Sequence, residues 1–234
     1  NSLTDAFGPI DVIREKPEGR SLFLKRRAKK VGYAKIAGQL VTMLLIVAMK
    51  RIQAGKIKRR LREQGLLWNC KAERPCFRSI PLTPISVEQV QRLRPAMILL
   101  CGCRMIRPDI LSRINVPMLN YHAGITPGYR GMNEGYWALA RGVPEDFGAT
   151  LHLVDAGVDT GAIVRQVRGR PLPGDTIWTY AYTQAAMSRQ MCIDGVGAML
   201  RGDARPEPLF GESEQHYHPE IWSYLWTGLS RGVW

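Results

Sequence analysis

Three features of the sequence predict an α/β fold, a mostly parallel sheet with helices on both faces. Short runs such as MILLC, Met97 to Cys101, are apolar at every position, as strands buried on both sides are. Such runs alternate with amphipathic helical segments, the clearest being Val87–Leu93, which breaks at Arg94-Pro95. At 234 residues, 45% hydrophobic and 23% charged, the chain has the size and composition of one folded domain with a sizeable core.

The first residues read as the end of a helix over Asn1 to Phe7, a turn at Gly8 and Pro9, and a strand over Ile10 to Ile13. A fold entered halfway through a helix implies that an N-terminal strand and half-helix lie outside this sequence or have been lost. Charge then becomes one-sided. Residues 20–62 hold 14 Lys or Arg and no Asp or Glu, so they supply the whole net charge of +13. Within them an apolar run, Leu40 to Met49, is flanked by KRRAKK and KIKRRLR. Ten residues fall short of the roughly twenty that span a hydrocarbon core. A core helix with solvated basic ends, a helix on an anionic membrane surface, and a contact with a phosphate-bearing substrate all satisfy the pattern. Nucleic acid is disfavoured, because only Phe23 and Tyr33 are there to stack bases.

Further along, RPDILSRI opens a short helix and VPMLNYH is a second buried strand. MNEGYWALARG suits a helix ending at Gly142, ATLHLVD an alternating strand and GAIVRQVRGRPL another. DTIWTYAYTQAAMSRQMCIDGVGAML reads as one long helix capped by Asp175. The chain thus divides into an α/β unit, residues 1–200 with the basic insertion 20–62, and an extension, residues 201–234. The extension is aromatic, with Trp222, Tyr224, Trp226 and Trp234, and covers a domain face, a substrate groove or a second copy of the chain, a homodimer. Five scattered cysteines and no visible signal peptide fit a reduced, cytoplasmic chain. Their spacings are not those of a zinc site, and no metal is expected.

The densest stretch is MLNYHAGITPGYRG, residues 118–131. An Asn-x-His pair, Asn120 and His122, stands at the mouth of a strand, followed by a loop stiffened by Pro127 and freed by Gly128. Taken singly, Asn120 is a strand-end cap, His122 a core histidine and the Asp159 of AGVDTG an ordinary turn residue.

Together with GATLHLVDAGVDTGAIV, residues 148–164, this stretch closely resembles the 10-formyltetrahydrofolate-dependent formyltransferase family, over roughly Arg94 to Thr176. The resemblance implies a Rossmann-like fold, 10-formyltetrahydrofolate as co-substrate, and Asn120, His122 and Asp159 as the catalytic trio. It places Arg104, Met105 and Ile106, with Val154, Asp155 and Gly157, in the two loops that enclose the pterin, and His152 on the strand before the acidic loop. Arg130 would hold the loop or an anionic part of the substrate.

Those residue types suit formyl transfer between nitrogens, which passes through a tetrahedral carbon bearing an oxyanion. An amide such as Asn120 donates to that oxyanion, His122 moves protons, and Asp159 favours the charged imidazole. Oxyanion donors are worth on the order of 3 kcal/mol each. Acceptors in this family are methionyl-tRNA, glycinamide ribonucleotide, or amines of nucleotide-linked sugars and similar metabolites. Only 58 residues follow Thr176, fewer than the C-terminal barrel of the tRNA enzyme, and no N-terminal glycine-rich phosphate loop is visible. A small amine, an amino sugar, is therefore the expected acceptor. A basic membrane- or nucleic-acid-associated protein on the same scaffold, without catalysis, is the alternative.

Overall fold

A computed structural model describes residues 2–15, 32–66, 77–82 and 87–234 of the chain. Residues 20–31 of the basic segment, Cys70 and Cys76 lie outside the described residues.

Helix α1 (Ser2–Phe7) turns at Gly8, whose φ of 80° suits glycine, into strand β1 (Ile10–Glu15). Helices α2 (Tyr33–Ile52) and α3 (Ala54–Glu63) follow, and β1 pairs in parallel with β2 (Phe77–Leu82). Helix α2 has 20 residues, twice its apolar run. It is long and apolar enough to cross a membrane by length and composition, contrary to the count of ten. One face of it packs on the domain: Ile46 is buried and Leu45 and Met49 press on the same core.

The main sheet comprises β3 (Ile98–Cys101), β4 (Met118–His122), β6 (Gly148–Leu153) and β7 (Ile163–Arg168), in that order. A short strand, β5 (Arg130–Gly131), lies apart and pairs in parallel with β8 (Gln215–His216). The α/β class is as expected, and the sheet is mixed. β3 and β4 are parallel, whereas β4, β6 and β7 alternate in direction. The loop Val154–Ala162 between β6 and β7 is shorter than the dozen or so residues of a parallel crossover, so β7 returns antiparallel.

Alternation sorts the two faces of the sheet. Leu119, Ala149 and Leu151, all fully buried, pack with Met191 and Val196 of α8 (Arg189–Arg201). Met118, on the opposite face, joins Val87 and Val90 of α4 (Val87–Leu93) and Ile114, beyond α5 (Pro108–Leu111). Asn120 and His122 share the Met118 face, so that face passes from apolar to polar toward the strand end.

The long C-terminal helix is two helices, α7 (Tyr180–Met187) and α8, separated at Ser188. The Ser188 hydroxyl donates to the Gln184 carbonyl four residues back, a bond that bends helices. Asp175 stands ahead of α7 and accepts from Thr179 Oγ1, Thr183 Oγ1, the Leu172 N–H and Arg60 of α3, tying α3 to the start of α7. The tail covers its own domain. Tyr224 of α9 (Ile221–Arg231) is buried against Tyr136 of α6 (Glu134–Ala140) and in one cluster with Ile46 and Trp178.

Candidate active site

Strand register brings the polar residues together. Asn120 stands opposite His152 across the β4–β6 ladder, with Asn120 Nδ2 3.1 Å from His152 Nε2. The same amide donates to Asp159 Oδ1 at 3.1 Å. Asp159 arrives from a sharply folded loop. Asp155 Oδ1 accepts from the Gly157 N–H and from Thr160 Oγ1, and a Cβ at Gly157 would lie 1.9 Å from that hydroxyl oxygen. The turn leaves Asp159 itself at a φ of 52°, a left-handed conformation that costs a non-glycine residue on the order of 1 kcal/mol.

Asp159 Oδ2 accepts from the Gly131 N–H at 3.1 Å and lies 3.5 Å from His122 Nδ1, while Oδ1 lies 3.5 Å from His152 Nε2. Burial alone would raise the Asp159 carboxyl. The His152 hydrogen bond, the charges of His122 and His152 and the Gly131 N–H outweigh it, and the group stays below its ordinary value. Because a carbonyl can only accept, the His152 nitrogen 2.7 Å from the Leu153 carbonyl is Nδ1–H. By the same reasoning the His122 Nε2, 2.8 Å from the Tyr129 carbonyl, carries hydrogen.

A fourth ionisable group, Glu134, belongs to this cluster and was not among the residues singled out from the sequence. Its carboxyl is buried; Oε1 lies 3.9 Å from His122 Nε2 and has no hydrogen-bond partner. Burial pushes it up to about 7, against the pull of His122 and its own backbone N–H and with a push from Asp159. Gly124 makes room for this approach, since a Cβ there would meet Glu134 Cβ at 2.4 Å and His122 Nε2 at 2.9 Å. In the sequence Glu134 reads as a first-turn helix acid, which is why it carried no signal.

The loop after His122 is held from several sides. Thr150 Oγ1 donates to the Gly124 carbonyl, and Gln166 Nε2 donates to the Thr126 carbonyl. Tyr129 stacks on His216, which stacks in turn on Trp137. Arg130 donates to the Val158 carbonyl and to Ser213 Oγ, so its guanidinium joins loop, acidic turn and tail. His216 was not a sequence candidate for this role either; its backbone carbonyl would lie 2.3 Å from a Cβ at Gly131.

Of the two loops expected around a pterin, Ile106 and Val154 meet in the apolar cluster with Met118, two residues before Asn120. Met105 is exposed and Arg104 half-buried, and Asp155 and Gly157 are exposed and shape the turn that presents Asp159. An open cleft of about 350 Å³ lies on the other side of the Ile125–Gly128 loop, lined also by Arg168 and Phe210, and holds none of the trio.

The sequence profile of the formyl transferase family matches residues 33–194, more than half of the chain. The chain belongs to the formyl transferase family. A methionyl-tRNA formyltransferase of Synechococcus sp. (strain JA-3-3Ab) is 30% identical over 105 residues, 45% of this chain and 32% of that protein. A phosphoribosylglycinamide formyltransferase of Mycobacterium tuberculosis is 38% identical over 96 residues, 41% of this chain and 44% of that protein. The chain thus spans less than half the length of either curated relative. Among solved structures, a sugar N-formyltransferase from Shewanella sp. superposes with a TM-score of 0.51 at 15% identity, over 88% of this chain and 75% of that one. An N-formyltransferase from Helicobacter canadensis, in complex with folinic acid and dTDP-3-aminofucose, gives 0.51 at 16% identity, over 62% and 61%. At such identities the likeness of this formyl transferase family chain to those structures is one of fold.

Proposed function

We propose that this chain moves a formyl group from 10-formyltetrahydrofolate to a primary amine of a small molecule, an amino sugar carried on a nucleotide or a similar metabolite. The observation that carries the reading is that Asp159, remote in sequence, meets Asn120 and His122 of one strand in a single polar cluster at the end of β4. The co-substrate supplies an activated formyl carbon. Apolar Ile106 and Val154, packed on the cluster that includes Met118, offer one apolar face for its pterin.

The residues divide the chemistry. Asp159, kept ionised, is the base that takes the proton from the incoming amine as nitrogen attacks. Asn120, held between His152 and Asp159, turns an amide hydrogen toward the developing oxyanion. His122, between Asp159 and Glu134, passes the proton on to the departing nitrogen. Arg130 positions the acidic turn that presents Asp159. Residues 1–200 supply this machinery, and the extension 201–234 buttresses it through Ser213 and His216.

The test is a panel of amines, including nucleotide-linked amino sugars, glycinamide ribonucleotide and methionyl-tRNA, incubated with 10-formyltetrahydrofolate while tetrahydrofolate absorbance is followed. His122→Ala and Asn120→Ala are expected to abolish turnover with the accepted amine. Unchanged turnover in either variant, or no turnover and no folate binding by the unaltered chain, would overturn the assignment.

A further inference from the structure

Most of the large apolar side chains that the described residues expose lie on two helices that pack against each other. On α2 they form a line at helical spacing, Val41, Leu44 and Val47, with Tyr33 and Ile52 at its ends; Leu44 is 62% and Ile52 75% exposed. On α9, Trp222 and Trp226 project one turn apart at 75% and 72%, with Leu225 and Leu229 beside them. The helices touch where Gly38 meets Glu220, a Cβ at Gly38 lying 3.3 Å from the Glu220 Cβ. Their opposite faces are spent on the core through Ile46 and Tyr224. Single exposed apolar residues are ordinary, but two neighbouring helical stripes of them mark a contact surface.

Charge identifies what the surface meets. Neither α2 nor α9 contains an acidic residue, and basic side chains stand at their ends: Lys35, Lys50, Arg51 and Arg231. Arg51 falls four residues after Val47 and seven after Leu44, on the same stripe. Helix α3 continues with exposed Lys56, Arg59 and Arg62, and Glu63 is its one acid. A second copy docked on this face would set two such cationic edges against each other. An anionic lipid surface instead pairs with the cations, while Trp side chains have the polar and apolar ends that the headgroup boundary suits. We propose that the solvent faces of α2 and α9 form a docking surface for an anionic membrane, with both helices lying in its plane. This inference does not depend on the formyl-transfer reading, because vesicle binding is read without turnover.

The experiment is co-sedimentation of the full chain with phosphatidylcholine vesicles with and without phosphatidylglycerol. Binding is expected only where phosphatidylglycerol is present and is expected to weaken as salt is added. Trp222→Ser with Trp226→Ser, and separately Val41→Ser with Leu44→Ser, should each reduce partition roughly tenfold or more, since binding scales with buried apolar area. Arg51→Gln and Lys56→Gln, both at exposed positions that leave the core intact, should each cost roughly fivefold at low salt. Far-UV circular dichroism confirms that each variant is folded. Absence of vesicle binding by the unaltered chain, or binding untouched in all folded variants, overturns the proposal. So does a concentration-dependent dimer, seen by ultracentrifugation and lost in the Trp variant without any vesicle binding; that result assigns the face to a second copy.

Discussion

Replacing Glu134 with Gln should stabilise the protein at neutral pH by an amount that disappears in mild acid. The folded carboxyl is pushed from its ordinary 4.5 up to about 7 by burial. Between those values the unfolded chain releases a proton that the folded chain keeps, so folding becomes less favourable as pH rises. Each pH step in the window costs about 1.4 kcal/mol, which sums to roughly 3 kcal/mol by pH 7 and stays constant above it. Stability from this group is thus full below 4.5 and lost as pH rises through about 7. The glutamine side chain has nearly the same shape and does not titrate. Urea unfolding of both proteins across this range isolates the effect, since the other titrating groups are shared. The expected difference grows in favour of Glu134→Gln by roughly 3 kcal/mol from pH 4.5 to 7. A constant difference would refute the reasoning, and one growing toward the unaltered protein would show instead that Glu134 ionises in a pair with His122.

Asp159→Asn removes the charge set between His122 and His152 and should lower kcat by about 10²–10⁴, with little change in KM for the amine; a rate within about twofold would remove Asp159 from the proton path. Gly131→Ala places a Cβ 2.3 Å from the His216 carbonyl at a φ of 105°, and should cost of order 1–3 kcal/mol in urea unfolding while loosening the 215–216 pairing to proteolysis. Asp175→Ala leaves Arg60 without its carboxylate, whose side chain is 1% exposed, and should cost roughly 3–5 kcal/mol; a loss under about 1 kcal/mol would show that α3 is not tied down there.

Where a segment's periodicity reflected its burial, its structure was legible. Val87–Leu93 is the helix its spacing predicts and MLNYH a largely buried strand; MILLC is a strand too, but stands at the edge of the four-stranded sheet among the described residues, half-buried with Cys101 exposed rather than buried on both sides. Boundaries failed where a side chain overrode propensity. Ser188 back-bonds to Gln184 and divides what reads as one helix, and α2 runs ten residues beyond its apolar run because its ends need only helical propensity, not hydrophobicity. Nothing in GAIVRQVRG says whether that strand returns parallel or antiparallel; the length of the loop before it does.

By itself the sequence determined an α/β class and the place of the basic excess, because local patterning is a property of the chain, while its resemblance to a family motif singled out Asn120, His122 and Asp159 together. Only the tertiary structure decided that His152 and Glu134 share that cluster, through a cross-strand register and the space left by Gly124. It alone decided that Arg130 is engaged with Val158 and that the stripes of α2 and α9 face solvent together. Burial, which moves the carboxyl of Glu134 up and leaves Trp226 in water, depends on what packs from elsewhere in the chain, and that is not written in any one segment.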